Sequence, residues 1–214
     1  LDENLRCPER IAQVVDRAKK HYGNLHKEIR PTKQNQRGGS QHVDAYLFHL
    51  SVGDGSEATK LLKKIDDSVG VAVISSQEEI PKWASEEIKD IILSPADTKG
   101  LEYQSVCLLN PGSTLAGLKP KAGGDGKGKE INAHMRRTMI DRLRGALSRA
   151  TETLAFIDVE ADDEHEALSK DLLSKDFIPA EPDDLVDHFQ TADASPEERV
   201  GARTEEARQL QDDN

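Results

Sequence analysis

Short apolar segments alternate along this chain with segments of helical periodicity, and the alternation limits the fold more than any other feature. Residues 69–75 form an almost continuous apolar run, which is typical of a strand covered on both faces of a parallel sheet. In residues 8–22 apolar side chains recur at i, i+3, i+4 and i+7, which predicts a helix with one buried face. The predicted strands are residues 45–52, 69–75, 90–94, 105–109 and 153–160, and the predicted helices are residues 8–22, 56–65, 77–88 and 132–150.

Alternating strands and helices predict an α/β fold, with a mostly parallel sheet and helices on both faces. In such sheets ligands commonly bind beyond the carboxyl ends of the strands. Polar and glycine-rich stretches at residues 31–42 and 110–130 are predicted to be loops. After residue 160 the chain becomes acidic and divides into short helical pieces interrupted by prolines, so we expect an appendage outside the sheet. The predicted division is one domain at residues 1–160 and an acidic helical appendage at residues 161–214.

The net charge of −11 is unevenly distributed along the chain. Residues 161–214 hold 17 acidic and 5 basic side chains, whereas residues 1–160 hold 23 acidic and 24 basic ones. The acidity therefore belongs to the C-terminal segment, and the near-neutral body is compatible with a nucleic-acid partner. We interpret the acidic segment as a solvated appendage, with docking of a protein partner as the alternative.

Several classes of protein are excluded by what the sequence lacks. It contains no apolar run of eighteen residues and no signal-peptide pattern, so no membrane association is expected. Two cysteines are too few for a disulfide framework or a thiolate metal site, and the histidines have no metal-ligand spacing. A reducing, cytoplasmic environment is therefore expected. Because the chain begins at Leu1 rather than methionine, we expect it to be a piece of a longer protein.

Three clusters of residues could carry chemistry: the stretch around Arg6 before the first helix, residues 99–102, and the arginine-rich helix that ends near Arg149. Arg149 lies at the rim of the apolar stripe of its helix, where a guanidinium can be held and aimed at phosphate oxygens. Gly100 allows the backbone to pass close to a ligand, and the Glu102 carboxylate can accept hydrogen bonds from ribose hydroxyls. Each has an ordinary alternative: a cap or ion pair for Arg6, a solvated loop carboxylate for Glu102, and a surface position near a helix end for Arg149.

Three stretches resemble motifs of the UvrD/Rep-type superfamily 1 helicases. "LDENLRCPERI" resembles L-x-x-N-Y-R-S-x-x-x-I, "SPADTKGLEYQSVCL" resembles T-x-H-x-x-K-G-L-E-F-x-x-V, and "RRTMIDRLRGALSRATETL" resembles R-R-L-x-Y-V-A-x-T-R-A. They follow one another in the family's order and cover residues 1–160. The resemblance implies the second, C-terminal RecA-like motor domain of such a helicase, a three-layer α/β domain that clamps ATP against an N-terminal RecA-like domain of the same protein.

The resemblance also implies roles for individual residues. Arg6 and Arg149 match the two arginines that reach the γ-phosphate, Glu102 matches the carboxylate on the ribose, and Gly100 is its neighbour. Ser94 matches a residue near single-stranded DNA. The implied cofactors are ATP and Mg²⁺, held mainly by the N-terminal domain, and the implied partners are that domain and single-stranded DNA.

The chain departs from the family pattern in several places. Leu5 stands at the position of an adenine-stacking tyrosine, Ala96 at that of a histidine, and Arg144 at an aromatic position. No G-x-x-x-x-G-K-[ST] phosphate loop is present, so this chain alone is not expected to hydrolyse ATP. Two other interpretations stay open: a UvrD-like module that binds nucleotide or a protein partner without turnover, and a free-standing nucleotide-binding α/β domain.

Overall fold

The structure is a computed structural model, which describes residues 8–21, 45–118, 133–175 and 177–192. The described strands are β1 Tyr46–Val52, β2 Val71–Ser75, β3 Ile92–Leu93, β4 Tyr103–Leu109, β5 Ala150–Val159 and β6 Ile178–Pro179. The described helices are α1 Glu9–Ala18, α2 Gly55–Asp66, α3 Pro111–Ala116, α4 Ala133–Leu147, α5 Asp163–Leu173 and α6 Pro182–Ala192. The predicted loop at residues 31–42 lies outside the described residues.

The six strands form one sheet in the order β3-β2-β4-β5-β1-β6, and every paired strand is parallel to its neighbour. Apolar side chains form a buried cluster on each face. The first core lies between the sheet and α1, α4 and α5, and the second core lies between the sheet and α2 and α6. The predicted α/β class with helices on both faces is confirmed, and the layering is consistent with a three-layer RecA-like architecture.

Local sequence explains where the helices begin and which face they bury. In α1 the residues that recur at helical spacing are the buried ones, as predicted: Ile11, Val14, Val15 and Ala18. Helix α2 is capped by Asp54, whose carboxylate accepts the backbone N–H groups of Ser56 and Glu57 at 2.8 and 2.9 Å. The helix therefore begins one residue before the predicted start at residue 56. Cys107 is fully buried in β4, and this burial raises the pKa of its thiol well above the ordinary range.

The predicted helix at residues 77–88 is wrong, because only a single 3₁₀ turn, Glu86–Ile88, forms there. Pro81 stands in the middle of the segment, where it lacks an N–H donor and disfavours helical backbone at the preceding residue. The Ser75 hydroxyl accepts the N–H of Gln77 and donates to the carbonyl oxygen of Glu79, which bends the chain directly after β2. The segment still buries apolar side chains, since Ala84 and Ile88 belong to the second core.

The described start of the predicted loop at residues 110–130 is also different, because α3 occupies residues 111–116. Pro111 stands in the first turn of this helix, where its missing N–H costs no hydrogen bond. Gly112 allows α3 to contact α5, since a Cβ at this position would lie 1.8 Å from the carbonyl oxygen of His165. Its backbone N–H donates to the Ser169 hydroxyl at 2.9 Å.

The segment after β5 corrects the prediction of an appendage outside the sheet. β6 adds a sixth strand beside β1, with Phe48 opposite Ile178 and His49 opposite Pro179. Helix α5 contributes Leu172 and Leu173 to the first core, and the apolar residues of α6 belong to the second. The many acidic surface residues of these two helices make their apolar periodicity hard to recognise in the sequence. Residues 163–192 therefore complete the packed body of the protein, and the rest of the predicted appendage lies outside the described residues.

Candidate functional site

The register of the central strands brings two of the predicted site residues side by side. Tyr103, the first residue of β4, lies opposite Ala150, the first residue of β5. Glu102 and Arg149 each immediately precede these residues, so they occupy neighbouring positions at the amino ends of two adjacent parallel strands. Gly100 lies two residues before Glu102 in the same connection. The sequence separates Leu101 from Arg149 by 48 positions, and the sheet brings them into contact.

Hydrogen bonds hold this edge of the sheet together. Arg149 donates from Nη1 to the carbonyl oxygen of Leu101 at 3.2 Å, and its own carbonyl oxygen accepts the N–H of Tyr103 at 2.9 Å. The Thr151 hydroxyl donates to the carbonyl oxygen of Tyr103 at 3.1 Å. The Arg149 Nε atom is buried and has no hydrogen-bond partner within the described residues. The guanidinium is therefore anchored through one nitrogen, next to the Gly100–Glu102 backbone.

The backbone at Gly100 requires glycine. Its φ is +86°, in the left-handed region that residues with a Cβ rarely adopt. A Cβ at this position would meet no atom within 4 Å, so the outer side of this turn is open. Leu101, the next residue, exposes half of its side chain, and Glu102 is exposed as well. The edge thus presents an open backbone turn, a carboxylate and an anchored guanidinium together.

Ser94 lies at the other end of the sheet. Leu93 is level with Ile74, which is level with Leu108 of β4, so Ser94 follows the carboxyl end of β3. At about 3.3 Å per residue, this places Ser94 roughly 20 Å along the strand direction from Glu102. Consecutive turns cover the distance, with N–H groups donating to carbonyl oxygens three residues earlier at Asp97, Lys99 and Leu101.

The backbone and side chain of Ser94 are both engaged with Asp97. The Asp97 carboxylate accepts the Ser94 N–H at 3.0 Å, and the Ser94 hydroxyl accepts the Asp97 N–H at 3.3 Å. Hydrogen bonding from Ser94 lowers the pKa of the Asp97 carboxyl. The predicted nucleotide contacts Glu102 and Arg149 therefore lie at the opposite end of the sheet from Ser94, the predicted DNA contact.

The carboxyl ends of β1 and β5, where ligands of α/β sheets commonly bind, are occupied by carboxylates. Asp54 caps α2 and Asp162 caps α5, where its carboxylate accepts the N–H of His165 at 2.8 Å. The Glu160 carboxylate accepts the N–H of Gly55 at 3.1 Å. A phosphate group at this edge would meet negative charge. Ligands of α/β sheets commonly bind beyond the carboxyl ends of the strands. Gly100, Glu102 and Arg149 lie at the amino ends, so they are not at that usual position.

Arg6 lies outside the described residues, so its convergence with Glu102 and Arg149 stays a prediction. The first described turn of α1 does lie at the amino edge. Arg10 in this turn donates to the carbonyl oxygen of Ala45 at 2.7 Å, and Ala45 immediately precedes β1. Because β1 is the neighbour of β5 in the sheet, α1 begins beside the strand that follows Arg149.

Sequence reasoning missed a buried pair of ionisable residues, His49 and Asp158. The His49 Nε2 atom lies 3.0 Å from the Asp158 Oδ2 atom, and the two residues are 5% and 0% exposed. The ring of Phe177 packs edge-on against His49 at 5.6 Å, and the His49 carbonyl oxygen accepts the N–H of Ala180 at 3.0 Å. The available signal was an ionisable side chain, His49 or Asp158, within an apolar part of each strand. The pair joins β1 and β5 to the segment that carries β6.

The described residues contain no group of three or more His, Cys, Asp or Glu side chains that could hold a metal ion. In the same part of the chain no helix is long and apolar enough to cross a lipid bilayer.

The chain matches no protein-family model, and a search of curated proteins gives no match. Among solved structures it is similar to the C-terminal domain of a possible DNA helicase from Lactobacillus plantarum WCFS1. The two chains share 12% identity, and the match covers 82% of this chain and 98% of the other, with a TM-score of 0.38. A similarity of this size carries no argument about function, so none of the proposals below rests on it.

Proposed function

We propose that this chain is the C-terminal motor domain of an ATP-dependent DNA helicase or translocase of the UvrD type. In this proposal it supplies contacts to ATP that is bound mainly by an N-terminal RecA-like domain of the same protein. Arg6 and Arg149 contact the γ-phosphate, Glu102 contacts the ribose, and the backbone at Gly100 passes close to the nucleotide. Ser94 contributes to the path of single-stranded DNA.

The observation that carries the proposal is the adjacency of Glu102 and Arg149 at the amino edge of β4 and β5. These residues belong to separate motifs of the resemblance, and a shared nucleotide contact requires that they lie together. The open turn at Gly100 provides space beside them for a ligand.

Each residue has a chemical task that fits its surroundings. The Arg149 guanidinium is anchored by one hydrogen bond to a carbonyl oxygen, which fixes its position without neutralising its charge. It can therefore stabilise the negative charge that develops on the transferring phosphoryl group. The exposed Glu102 carboxylate can accept hydrogen bonds from both ribose hydroxyls. Bound Mg²⁺ would neutralise charge on the β- and γ-phosphates, and the proposal assigns its ligands to the N-terminal domain.

A nucleotide- or partner-binding module without turnover is the second candidate function. The departures from the family pattern at Leu5 and Ala96 favour it, because they remove an adenine-stacking ring and a histidine at a motif position. This candidate predicts nucleotide binding at the same edge but no hydrolysis in the complete protein. A free-standing nucleotide-binding domain, the third interpretation, predicts binding by this chain alone.

The sequence encoded upstream of Leu1 provides the first test. The motor proposal requires a phosphate loop and an acidic Mg²⁺-binding motif there, whereas a module without turnover requires neither. The second test is ATP hydrolysis by the complete gene product with Arg149→Ala. Arginines that stabilise a transferring phosphoryl group contribute on the order of 10³-fold or more to the rate, so hydrolysis should fall by about that factor.

Arg137→Ala is the matched control, because Arg137 lies on α4 and its side chain is 65% exposed. Within the described part of the chain it forms only a long ion pair with Asp141, at 3.6 Å. Its rate should stay close to that of the parent. Hydrolysis within about threefold of the parent in Arg149→Ala, a difference of less than 1 kcal/mol in activation energy, would reject the assignment of this residue. Glu102→Ala should weaken nucleotide binding more than DNA binding, and unchanged nucleotide affinity would reject the ribose contact.

A further inference from the structure

A groove opens at the amino end of β2, where β3 has not yet begun. β3 pairs with β2 only at Val73 and Ile74, so Val71 and Ala72 have no residue of β3 opposite them. A cavity of about 230 Å³ occupies this position. Its lining comes from α2, β2, β3 with the residue before it, and the start of β4, and includes Ile65, Val71, Ile91, Leu93 and Tyr103.

Two carboxylates stand at this groove on different elements. Asp66 ends α2 and Asp90 precedes β3, and both line the cavity and are exposed. Within the described residues neither side chain has an ion-pair or hydrogen-bond partner.

The nearest lysines in the sequence are engaged with other carboxylates. Lys63 pairs with Glu87, Lys89 pairs with Glu86, and Lys64 pairs with Asp183 at 2.9 Å. The groove therefore combines an apolar floor with two negative charges that have no partner in the described part of the chain.

The size of the cavity favours a side chain over a whole small molecule. Small-molecule sites usually enclose roughly 300–1,000 Å³, which exceeds this cavity. A lysine or arginine side chain can lay its apolar stem on such a floor and place its charged head among carboxylates. The missing strand partner at Val71 and Ala72 adds an edge to which an extended backbone can pair, as in β-strand addition.

We propose that this groove binds an extended, basic peptide segment of a partner protein. The peptide backbone pairs with β2 at Val71 and Ala72, and a lysine or arginine side chain enters the groove between Asp66 and Asp90. Neither Glu102 nor Arg149 lines the groove, so the peptide contacts are separate from the proposed nucleotide contacts. The two sites are neighbours, because Tyr103, the residue after Glu102, does line the groove. The two carboxylates also make the groove unsuitable for a phosphate group.

The test is a selection of random heptapeptides displayed on phage against the immobilised 214-residue chain. The enriched peptides are then tested for binding to the Asp66→Asn/Asp90→Asn double variant. We expect enriched peptides to carry a lysine or arginine flanked by β-branched or apolar residues. A synthetic copy should bind the double variant at least about fivefold more weakly, which corresponds to two exposed ion pairs, and its binding should weaken in high salt.

The matched control is Asp67→Asn, since Asp67 is an exposed neighbour that does not line the groove. It should leave the affinity unchanged. Thermal unfolding should show that both the double variant and Asp67→Asn keep the parent fold. Replacing the basic residue of the peptide with glutamine should abolish the difference between parent and double variant. Amide chemical shifts of Val71 and Ala72 should move on titration. The proposal is overturned if no peptide is enriched, if enriched peptides lack a basic residue, if they bind the double variant equally, or if the shifts map elsewhere.

Discussion

The imidazole of His49 and the carboxylate of Asp158 meet 3.0 Å apart inside the sheet, where water reaches almost none of either side chain. They stand on β1 and β5, and the ring of Phe177 covers His49 from the segment that leads to β6. The contact between the pair thus connects two central strands, and the contact with Phe177 links them to the last strand of the sheet.

Removal of one member of this pair should destabilise the fold. Asp158→Ala leaves the His49 Nε2 atom buried without its partner, which costs about 2 kcal/mol of unfolding free energy. The double variant His49→Phe/Asp158→Ala should be less destabilised than the sum of the two single variants, because no polar group is then left unsatisfied. Urea unfolding of the parent, the two single variants and the double variant measures these free energies. Additive losses of unfolding free energy would show that the contact contributes nothing. The Ala180 amide, which donates to the His49 carbonyl oxygen, should exchange faster with solvent in Asp158→Ala.

Gly112→Ala should be strongly destabilising. The new Cβ would lie 1.8 Å from the carbonyl oxygen of His165 and 2.7 Å from its carbon, so α3 and α5 would have to separate. We expect a loss of about 3 kcal/mol or more in the free energy of unfolding. Gly145→Ala is the control, because a Cβ there meets nothing within 4 Å in the interior of α4. That variant should gain about 0.5–1 kcal/mol from helix propensity. Equal stability of the two variants would contradict the contact.

Gly100→Ala should destabilise through the backbone alone. A Cβ in the left-handed region costs about 1–2 kcal/mol, and the open surroundings add no clash. Gly100→Asn should lose less, because asparagine tolerates this conformation. Gly53→Ala serves as the control, since its φ is not positive and the nearest atom would lie at 3.8 Å. A loss in Gly53→Ala as large as that in Gly100→Ala would argue against the backbone explanation.

The ion pair between Glu166 and Lys170 on α5 predicts a dependence of stability on pH. The hydrogen bond from Lys170, at 2.8 Å, lowers the pKa of the Glu166 carboxyl, with a smaller contribution from Ser51. A carboxyl whose pKa is lower in the folded than in the unfolded state stabilises the fold at neutral pH. That contribution is lost as the pH falls through the folded-state value.

Lys170→Met should therefore raise the pKa of Glu166 and cost about 0.3–0.5 kcal/mol at neutral pH, as expected for an ion pair four residues apart on a helix. The difference from the parent should disappear in acid, where the carboxyl is protonated. Carboxyl ¹³C shifts and urea unfolding at several pH values measure both effects. Lys175→Met, at an exposed position beyond α5, should show neither. If Lys170→Met lowers the unfolding free energy equally at every pH, the loss comes from packing of the lysine side chain and not from the ion pair.

The pattern of apolar residues predicted the strands and helices whose own sequence shows a buried face or an apolar run. The strands that became β1, β2, β4 and β5 were predicted to within a few residues, and so were α1, α2 and α4. The prediction of a helix at residues 77–88 was wrong, because Pro81 interrupts the segment and its apolar residues do not line one face of a helix. β6 could not be predicted, because Ile178 and Pro179 form a strand only where β1 offers an open edge.

The candidate site was partly predictable for a similar reason. Glu102 and Arg149 each precede a predicted strand, so pairing those strands brings them together, as expected. His49 and Asp158 depend on the register between β1 and β5, which no local pattern encodes. Arg6 lies outside the described residues, and its place beside Arg149 remains a prediction.

The route of the chain after β5 has a practical consequence. Residues 163–192 pass from α5 on one face, around the outer strand β6, to α6 on the other face. A recombinant fragment ending at residue 160 would lack Leu172 and Leu173 of the first core, and Leu185 and Phe189 of the second, and would expose apolar surface on both faces of the sheet. Such a fragment should precipitate rather than fold. A fragment that ends after Ala192 keeps both helices and β6, and should fold.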